Sequence, residues 1–287
     1  MRVLVLGVTG MLGHTVFRWL RRDPGYEVWG TLREQSGLQF FSEAEISHLA
    51  SDLDVLDVAA LDRVVRQVQP ALVINCIGVV KQLAASHDPL VVLPLNSMLP
   101  HRLARLTAEI GARLIHVSTD CVFSGRQGNY RESDTADATD LYGQSKYIGE
   151  VRDQSHVLTV RVSIIGHELA SHRSLVDWFL SQDAVVTGYT AAVFSGLPTV
   201  ELARVFHEVV VPQPDLSGLY HVSALPVSKY DLLRIVADVY GKPVTLTPSQ
   251  AVVIDRSLNS ERFTAATGYV APAWPDLVQT MHAWRDL

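Results

Sequence analysis

At 287 residues the chain can form one large domain or two small ones, and 48% hydrophobic against 19% charged residues is the balance of a folded globular protein. A formal net charge of −6 argues against nucleic acid or an anionic membrane as partner, since both reward clustered Lys and Arg. No long apolar run suggests a transmembrane helix, no leader precedes the first apolar run, and Cys76 and Cys121 lack metal or disulfide-framework spacing, so a cytoplasmic setting is expected.

The chain opens on the apolar run RVLVLG (2–7). Similar runs follow at YEVWGTL (26–32), ALVINCIG (71–78), ARLIHVS (112–118) and HVLTVRVS (156–163). Unbroken apolar runs, rather than strict alternation, suit strands covered on both faces. Helical spacing lies between them. MLGHTVFRWLRR puts Leu12, Val16, Trp19 and Leu20 on one face. DVAALDRVVRQVQP does the same with Leu61, Val64, Val65 and Val68, opening on Asp57 as a cap and ending at Pro70. SMLPHRLARLTAEIGA repeats the pattern through Leu103 and Leu106 and closes at Gly111. This alternation predicts a doubly wound parallel sheet of the Rossmann type, in the α/β class. From residue 164 the rhythm changes. Strands shorten (AVVTGY, AAVFSGLP), Pro, Gly and Ser become frequent, and the helical stretches TVELARVFHEVV, SKYDLLRIVADVYG and PDLVQTMHAWRDL are mixed in. The chain divides into a first domain, 1–163, and a smaller α/β region, 164–287, with a boundary that elements can cross.

GVTGMLG follows the first run directly and starts the first helix, supplying Gly7, Gly10 and Gly13. Gly7 permits a tight turn, Gly10 lets the backbone approach a pyrophosphate, and Gly13 lets helix pack closely on strand. A helix N-terminus offers free N–H groups to phosphate, which adds Thr9, Met11 and Leu12 to the expected contacts. The second run ends WGTLRE. Arg33 stands where a ribose 2′-phosphate would lie and Glu34 comes one step late, which favours NADP while leaving NAD open. In SDLDVLD, Asp52 and Leu53 either edge the adenine or cap the next helix. The first domain is therefore read as NAD(P)-binding, and 164–287 as the substrate side.

DLYGQSKYIGE carries Tyr142 and Lys146 four residues apart, in a chain with four lysines against twenty arginines. On a helix such a pair shares one face. A tyrosine ordinarily titrates near 10, and a neighbouring ammonium lowers that value by favouring the phenolate. Ser118 and Thr119, in HVSTDCVFSG, end a parallel strand where ligands bind in such sheets, and either hydroxyl can bond a substrate carbonyl.

Taken together, GVTGMLG, STDCVFSG and YGQSK resemble an extended short-chain dehydrogenase/reductase, most nearly the dTDP-4-dehydrorhamnose reductase group, over essentially the whole chain. YRESD (130–134) and DRSLNSERF (255–263) are similar to that group as well. The resemblance implies Thr119, Tyr142 and Lys146 as a catalytic triad, NADPH or NADH as hydride donor, and a nucleotide-linked 4-keto-6-deoxy sugar as substrate. It further implies Cys76, Ile77, Gly78 and Asn96, with Asn75, around the cofactor and Ser163 beside the nicotinamide. Arg256, Ser257 and Ser260 are placed near the substrate by the same likeness. Lys81 is a candidate for a sugar-nucleotide phosphate, and Asp120 and Val122 flank the substrate. No metal is expected, and a homodimer is one assembly the reading leaves open.

The pattern also departs from its relatives. Sugar-nucleotide 4,6-dehydratases carry Asp-Glu after the triad Thr, because water elimination needs an extra acid and base. Here Thr119-Asp120-Cys121 has no Glu, which disfavours dehydration. The rhamnose reductases usually have an aromatic at the Cys position. GDP-fucose synthase is similar in having Cys there, paired with a His. His172 falls at a comparable offset and His167 nearer, so an epimerase/reductase is the first alternative. The second is a dinucleotide-binding regulatory subunit such as the β subunit of methionine adenosyltransferase, which resembles these reductases. Trp178, Trp274 and Trp284 read as core or interface residues, and the other histidines lack metal-ligand spacing.

Overall fold

A computed structural model describes residues 1–79 and 84–285. Seven parallel strands form the central sheet: β1 (Arg2–Leu6), β2 (Glu27–Thr31), β3 (Leu49–Ala50), β4 (Leu72–Asn75), β5 (Arg113–Ser118), β6 (Val157–Arg161) and β7 (Gly218–His221). Their order is β7-β6-β5-β4-β1-β2-β3. The doubly wound class is therefore observed. The apolar runs show why. Val3 and Val5 enter the core on one face while Leu4 and Leu6 enter a separate core on the other, so β1 must be apolar at every step.

Helices cover both faces. α1 (Met11–Leu20) buries Leu12, Val16, Phe17 and Leu20, and Trp19 lies at its edge. On the opposite face α2 (Val58–Val68) buries Leu61, Val65 and Val68, with Asp57 accepting from the Ala60 N–H at 3.0 Å. Beside it, α3 (Leu99–Glu109) buries Leu103 and Leu106, and Gly111 follows at φ 67°. The chain winds outward in one direction through β2 and β3, then in the other through β4 to β7. The reversal leaves a crevice beyond the C-terminal ends of β1 and β4, where ligands bind in such sheets.

The second region does not stand apart. Its Gly218–His221 segment closes the sheet as β7. Leu202 and Phe206, Leu233 in a later helix and Leu277 near the end share one core with Val3 and Phe17. Thr15 of α1 donates to Thr199 at 3.2 Å, where α5 (Thr199–Val205) packs on the first domain. A small sheet aligns Ala192–Phe194 with Val227–Ser228 on one side and Ile254–Asp255 on the other, bringing three distant stretches to one place. α6 (Lys229–Tyr240) and α7 (Trp274–Ala283) complete this half. No helix among the described residues is long and apolar enough to cross a membrane.

Beneath β5 and β6 lies a fully enclosed ion pair. Arg161 donates to Glu150 through Nε at 2.7 Å and Nη2 at 2.8 Å, with both side chains 0% exposed. Ser118 donates to the same carboxylate at 2.7 Å, and Arg152 adds a further contact. The other Arg161 nitrogen donates to His221 Nε2 at 3.2 Å. Since Arg can only donate, the His221 proton resides on Nδ1, which donates to the Tyr130 carbonyl at 3.0 Å. Burial, reinforced by the Arg161 charge, lowers His221 to about 3. Removing one partner of such a pair strands a buried charge. Arg161→Met is expected to cost about 3–5 kcal/mol in urea unfolding, and Glu150→Leu/Arg161→Met together less than Arg161→Met alone. A wild-type midpoint for Arg161→Met would show the pair to be dispensable.

Candidate active site

The glycine turn is built from backbone constraint. Gly7 sits at φ 84°, and a Cβ there would approach Ile77 Cγ1 to 2.7 Å. A Cβ on Gly13 would lie 2.0 Å from the Gly7 carbonyl oxygen, so no larger residue fits between α1 and the turn. Gly10 occupies the N-cap of α1 without a side-chain cap, which leaves the first N–H groups of the helix to a guest. Thr9 and Gly10 are exposed, Met11 is half-buried, and Leu12 turns its side chain into the core. Cys76, Ile77 and Gly78 run alongside from the end of β4, the first two half-buried and Gly78 exposed. Burial pushes the Cys76 thiol up to about 12. An open cradle of N–H groups whose narrow points admit only hydrogen fits the pyrophosphate of a dinucleotide.

Arg33 and Glu34 are exposed just beyond β2. Asp52 adopts a left-handed φ of 59° and accepts from Gln35 Nε2 at 2.5 Å, while Leu53 is buried. Asp52 is not the helix cap; Asp57 is. Asn75 is buried and spent locally, its Oδ1 accepting from Ile77 N at 3.1 Å and its Nδ2 facing His116 Nδ1 at 3.1 Å. Asn96, expected against the cofactor, is 1% exposed, and its Oδ1 lies 3.2 Å from where a Gly78 Cβ would stand. Its Oδ1 accepts from Val79 N at 2.9 Å and its Nδ2 donates to Ser145 Oγ at 3.2 Å, so it clamps the post-β4 strip onto the tyrosine helix from behind. Ser163 is half-buried, and its carbonyl accepts from Leu197 N at 2.9 Å.

That tyrosine helix, α4 (Leu141–Ile148), begins where Asp140 accepts from Gly143 N at 2.9 Å. A Cβ on Gly143 would lie 2.3 Å from the Cys121 carbonyl oxygen, so the helix start presses directly on the Thr119–Cys121 turn. The contact brings the Tyr142 phenol close to the Thr119 side chain. Thr119 Oγ1 donates to Asp120 at 3.0 Å and accepts from Cys121 N at 3.1 Å. Lys146, one turn along from Tyr142, donates to the Val117 carbonyl at 2.7 Å. Its Nζ lies 3.7 Å from where a Gly78 Cβ would stand, so the lysine faces the cofactor strip.

The electrostatics differ from the simple expectation for such a pair. Burial raises the Tyr142 pKa above its ordinary value, and Cys121 raises it further; the Thr119 side chain opposes them, while Asp120 and Asp140 add to the rise. The charges acting most strongly on the phenol are acidic, not the lysine. Burial likewise lowers Lys146 to about 8, with Glu150 and Cys76 pulling the other way.

A family model described as the RmlD substrate binding domain matches residues 1–283. The chain belongs to this family. Among its relatives, methionine adenosyltransferase 2 subunit beta of Xenopus laevis is 25% identical over 84% of this chain and 73% of its own length. A probable low-salt glycan biosynthesis reductase of Haloferax volcanii is 28% identical over 89% and 86% respectively. The crystal structure of a Bacillus anthracis dTDP-4-dehydrorhamnose reductase in complex with NADP superposes with a TM-score of 0.79 at 18% identity, covering 98% of each chain.

On the substrate side of this RmlD-family chain, several expectations change. Val122 is fully buried in a small core with Phe123, Tyr130 and Leu258, so its side chain cannot meet a substrate; an apolar residue one step past the turn is drawn under it. Ser257 is 2% exposed, and its hydroxyl accepts from Asn129 N at 2.8 Å, holding the 125–132 loop. Arg256 is half-buried and donates through Nε to the Phe123 carbonyl at 2.8 Å, and Ser260 precedes the helix starting at Glu261. Lys81 lies outside the described residues. His167 uses both ring nitrogens, on Asp177 at 2.6 Å and Tyr240 at 2.8 Å, and His172 is exposed on the same loop. The epimerase pairing with Cys121 gains no support from either.

Two features escaped the sequence reading. Glu150 follows Lys146 by four residues and is signalled only by that spacing. Lys229, in the far half of the chain, packs its amine 4.2 Å from the centre of the Phe194 ring, and nothing local announces it.

With four lysines in the chain, reductive methylation with 13C-formaldehyde lets NMR follow them individually. The Lys146 resonance, identified by its loss in Lys146→Arg, is expected to titrate near pH 8. A midpoint at about 10, the ordinary lysine value, would remove this account of the site. The sign for stability follows. Between pH about 8 and 10.5 the unfolded chain binds more protons at this group than the folded one, so its contribution to stability rises with pH across that window.

Proposed function

We propose that this chain is an NADP-preferring ketoreductase that reduces a nucleotide-linked 4-keto-6-deoxy sugar in glycan biosynthesis. The observation that carries this reading is the close seat of the tyrosine helix on the Thr119–Cys121 turn at the end of β5, with Lys146 on the same helix facing the strip beside the glycine cradle. The family supports it, as does the reductase named among the relatives.

Gly7, Thr9, Gly10, Met11, Leu12 and Gly13 would hold the dinucleotide phosphates, with Cys76, Ile77 and Gly78 along its length. When bound, the dinucleotide supplies the hydride that adds to the carbonyl carbon. The chain's own part is the oxygen. Tyr142 bonds the carbonyl oxygen and gives it the phenolic proton as the C–O π electrons become a lone pair there, with Thr119 beside it, its own proton held by Asp120. An ordinary phenol is already protonated at neutral pH, so the upward shift adds no protonated fraction and makes Tyr142 a weaker acid in the unliganded site, a cost the developing charge on the bound oxygen must offset. Asp120, by accepting the Thr119 proton, fixes which way that hydroxyl points. Lys146 contributes a cation, or a proton source near neutrality, on the cofactor side of Tyr142.

Turnover is tested by NADPH oxidation with a panel of 4-keto nucleotide sugars. Tyr142→Phe is expected to lower kcat by about 10²–10⁴ while NADPH binding, read by fluorescence, survives. Full activity in that variant would sink the mechanism. For cofactor choice, Arg33→Ala is expected to weaken NADPH at least about tenfold and NADH by less than about twofold, since only the 2′-phosphate loses a partner. A second reading, a dinucleotide-binding subunit without turnover, draws on the likeness to methionine adenosyltransferase 2 subunit beta. Tight NADPH binding with no consumption on any ketone would favour it.

A further inference from the structure

A groove of about 580 Å³ runs between α2 and α3 and reaches Ile148, the last residue of α4. None of its lining residues belongs to the glycine cradle or to the Thr119–Cys121 turn. Its shape has a local cause. α2 turns Leu61 toward the core and α3 turns Leu106 the same way, so both lie low in the groove, 2% and 9% exposed. Residues three and four positions along each helix then form the walls. The outer edge of a surface helix is ordinarily polar, yet Val58, Met98 and Ile148, from three separate segments, stand about half exposed here. Single exposed apolar side chains are common; three that converge on one cavity mark a binding surface. The volume falls in the range of small-ligand sites, about 300–1,000 Å³.

The charges around the groove are unevenly matched. Asp62 and Glu109 share one cation, Arg66, which donates to them at 2.8 Å and 3.1 Å. Arg102 and Arg105, a turn apart on α3, have no hydrogen bond or ion pair among the described residues. An apolar floor therefore lies beside two unopposed guanidinium groups, in a chain whose net charge is −6. The guest that matches both features has an alkyl body and an anionic head. A guanidinium fork pairs with a carboxylate through two parallel N–H bonds. The guest must also be thin. A helix with its side chains is about 10–12 Å across and would rest on the walls without reaching Leu61 and Leu106. A second copy of this chain, docked about a two-fold axis, would bring the same unopposed cations to the seam.

We propose that this groove is a binding site for a free amphiphilic carboxylate, with its alkyl chain over Leu61, Leu106, Met98 and Ile148 and its head group on Arg102 and Arg105. The assignment stands apart from the ketoreductase reading, because it uses no residue of that site. The groove nevertheless touches the helix that carries Tyr142 and Lys146. Ser97 donates to the Ser145 carbonyl at 2.9 Å, and His101 donates through Nε2 to the Ile148 carbonyl at 2.7 Å. Both residues line the groove, so its walls are fixed to α4.

The probe is decanoate, titrated into the full chain by calorimetry below its micelle concentration. The chain has four methionines, and 13C-labelling of their methyl groups reports where the probe sits. One saturable site is expected, with the Met98 resonance shifting and that of Met11, in the cradle, unmoved. Arg102→Gln/Arg105→Gln is expected to weaken decanoate at least about tenfold, as for loss of charge-assisted hydrogen bonds. Decanol should bind wild type at least about tenfold more weakly than decanoate does, and should not distinguish wild type from the double variant. Ile148→Ser should cost about fivefold through lost apolar contact. Circular dichroism and thermal melts establish that each variant is folded. No saturable site, a shift at Met11 in place of Met98, or equal decanoate affinity in the double variant overturns the assignment. Sedimentation showing a wild-type dimer that Ile148→Glu converts to monomer gives the groove to a second copy and overturns it as well.

Discussion

A carboxylate and a guanidinium without solvent contact, Glu150 and Arg161, hold the floor of the site together. Such a pair is stable only when its remaining hydrogen-bonding capacity is filled, and here each partner is tied to a different part of the active region. Ser118 of β5 meets the carboxylate, so the strand leading into Thr119 is pinned. Glu150 itself ends the tyrosine helix region and raises Lys146 against the burial that lowers it. Arg161 bonds His221 of β7, and through it the loop around Tyr130, which in turn abuts Ser257. Both halves of the chain converge on this one buried charge pair.

Above that floor, burial sets the protonation states. It holds the phenol protonated, brings the lysine on its helix toward neutrality, and keeps His14, at about 4, and His221 uncharged near neutral pH. The arrangement suits a reaction in which an acid must give up its proton only when charge develops on a bound oxygen.

Much of this was legible in local pattern. Apolar runs between helical stretches announce the parallel sheet because each strand must satisfy two cores. The glycine triplet announces a cradle because Gly7 needs a left-handed φ and Gly13 leaves no space for a Cβ. Tyr142 and Lys146 share a helix face by spacing alone. Other elements were not legible. The two-residue strand β3 is too short to carry a period, and β7 follows a long excursion through the second region. Val122 and Asn96 sit beside functional residues in sequence, yet adjacency does not say which side chains turn into the core.

The sequence by itself determined the class of fold, the phosphate cradle and the tyrosine–lysine pair, since these depend on backbone sterics and on the periodicity of single elements. Only the tertiary structure decided which charges meet. It set Glu150 on Arg161, Asn96 on Val79 and Ser145, and Val122 in a core with Leu258, because each of these contacts joins separate elements of the chain. Burial, which shifts Tyr142, Lys146 and Cys76, is a property of that assembly and of no local stretch.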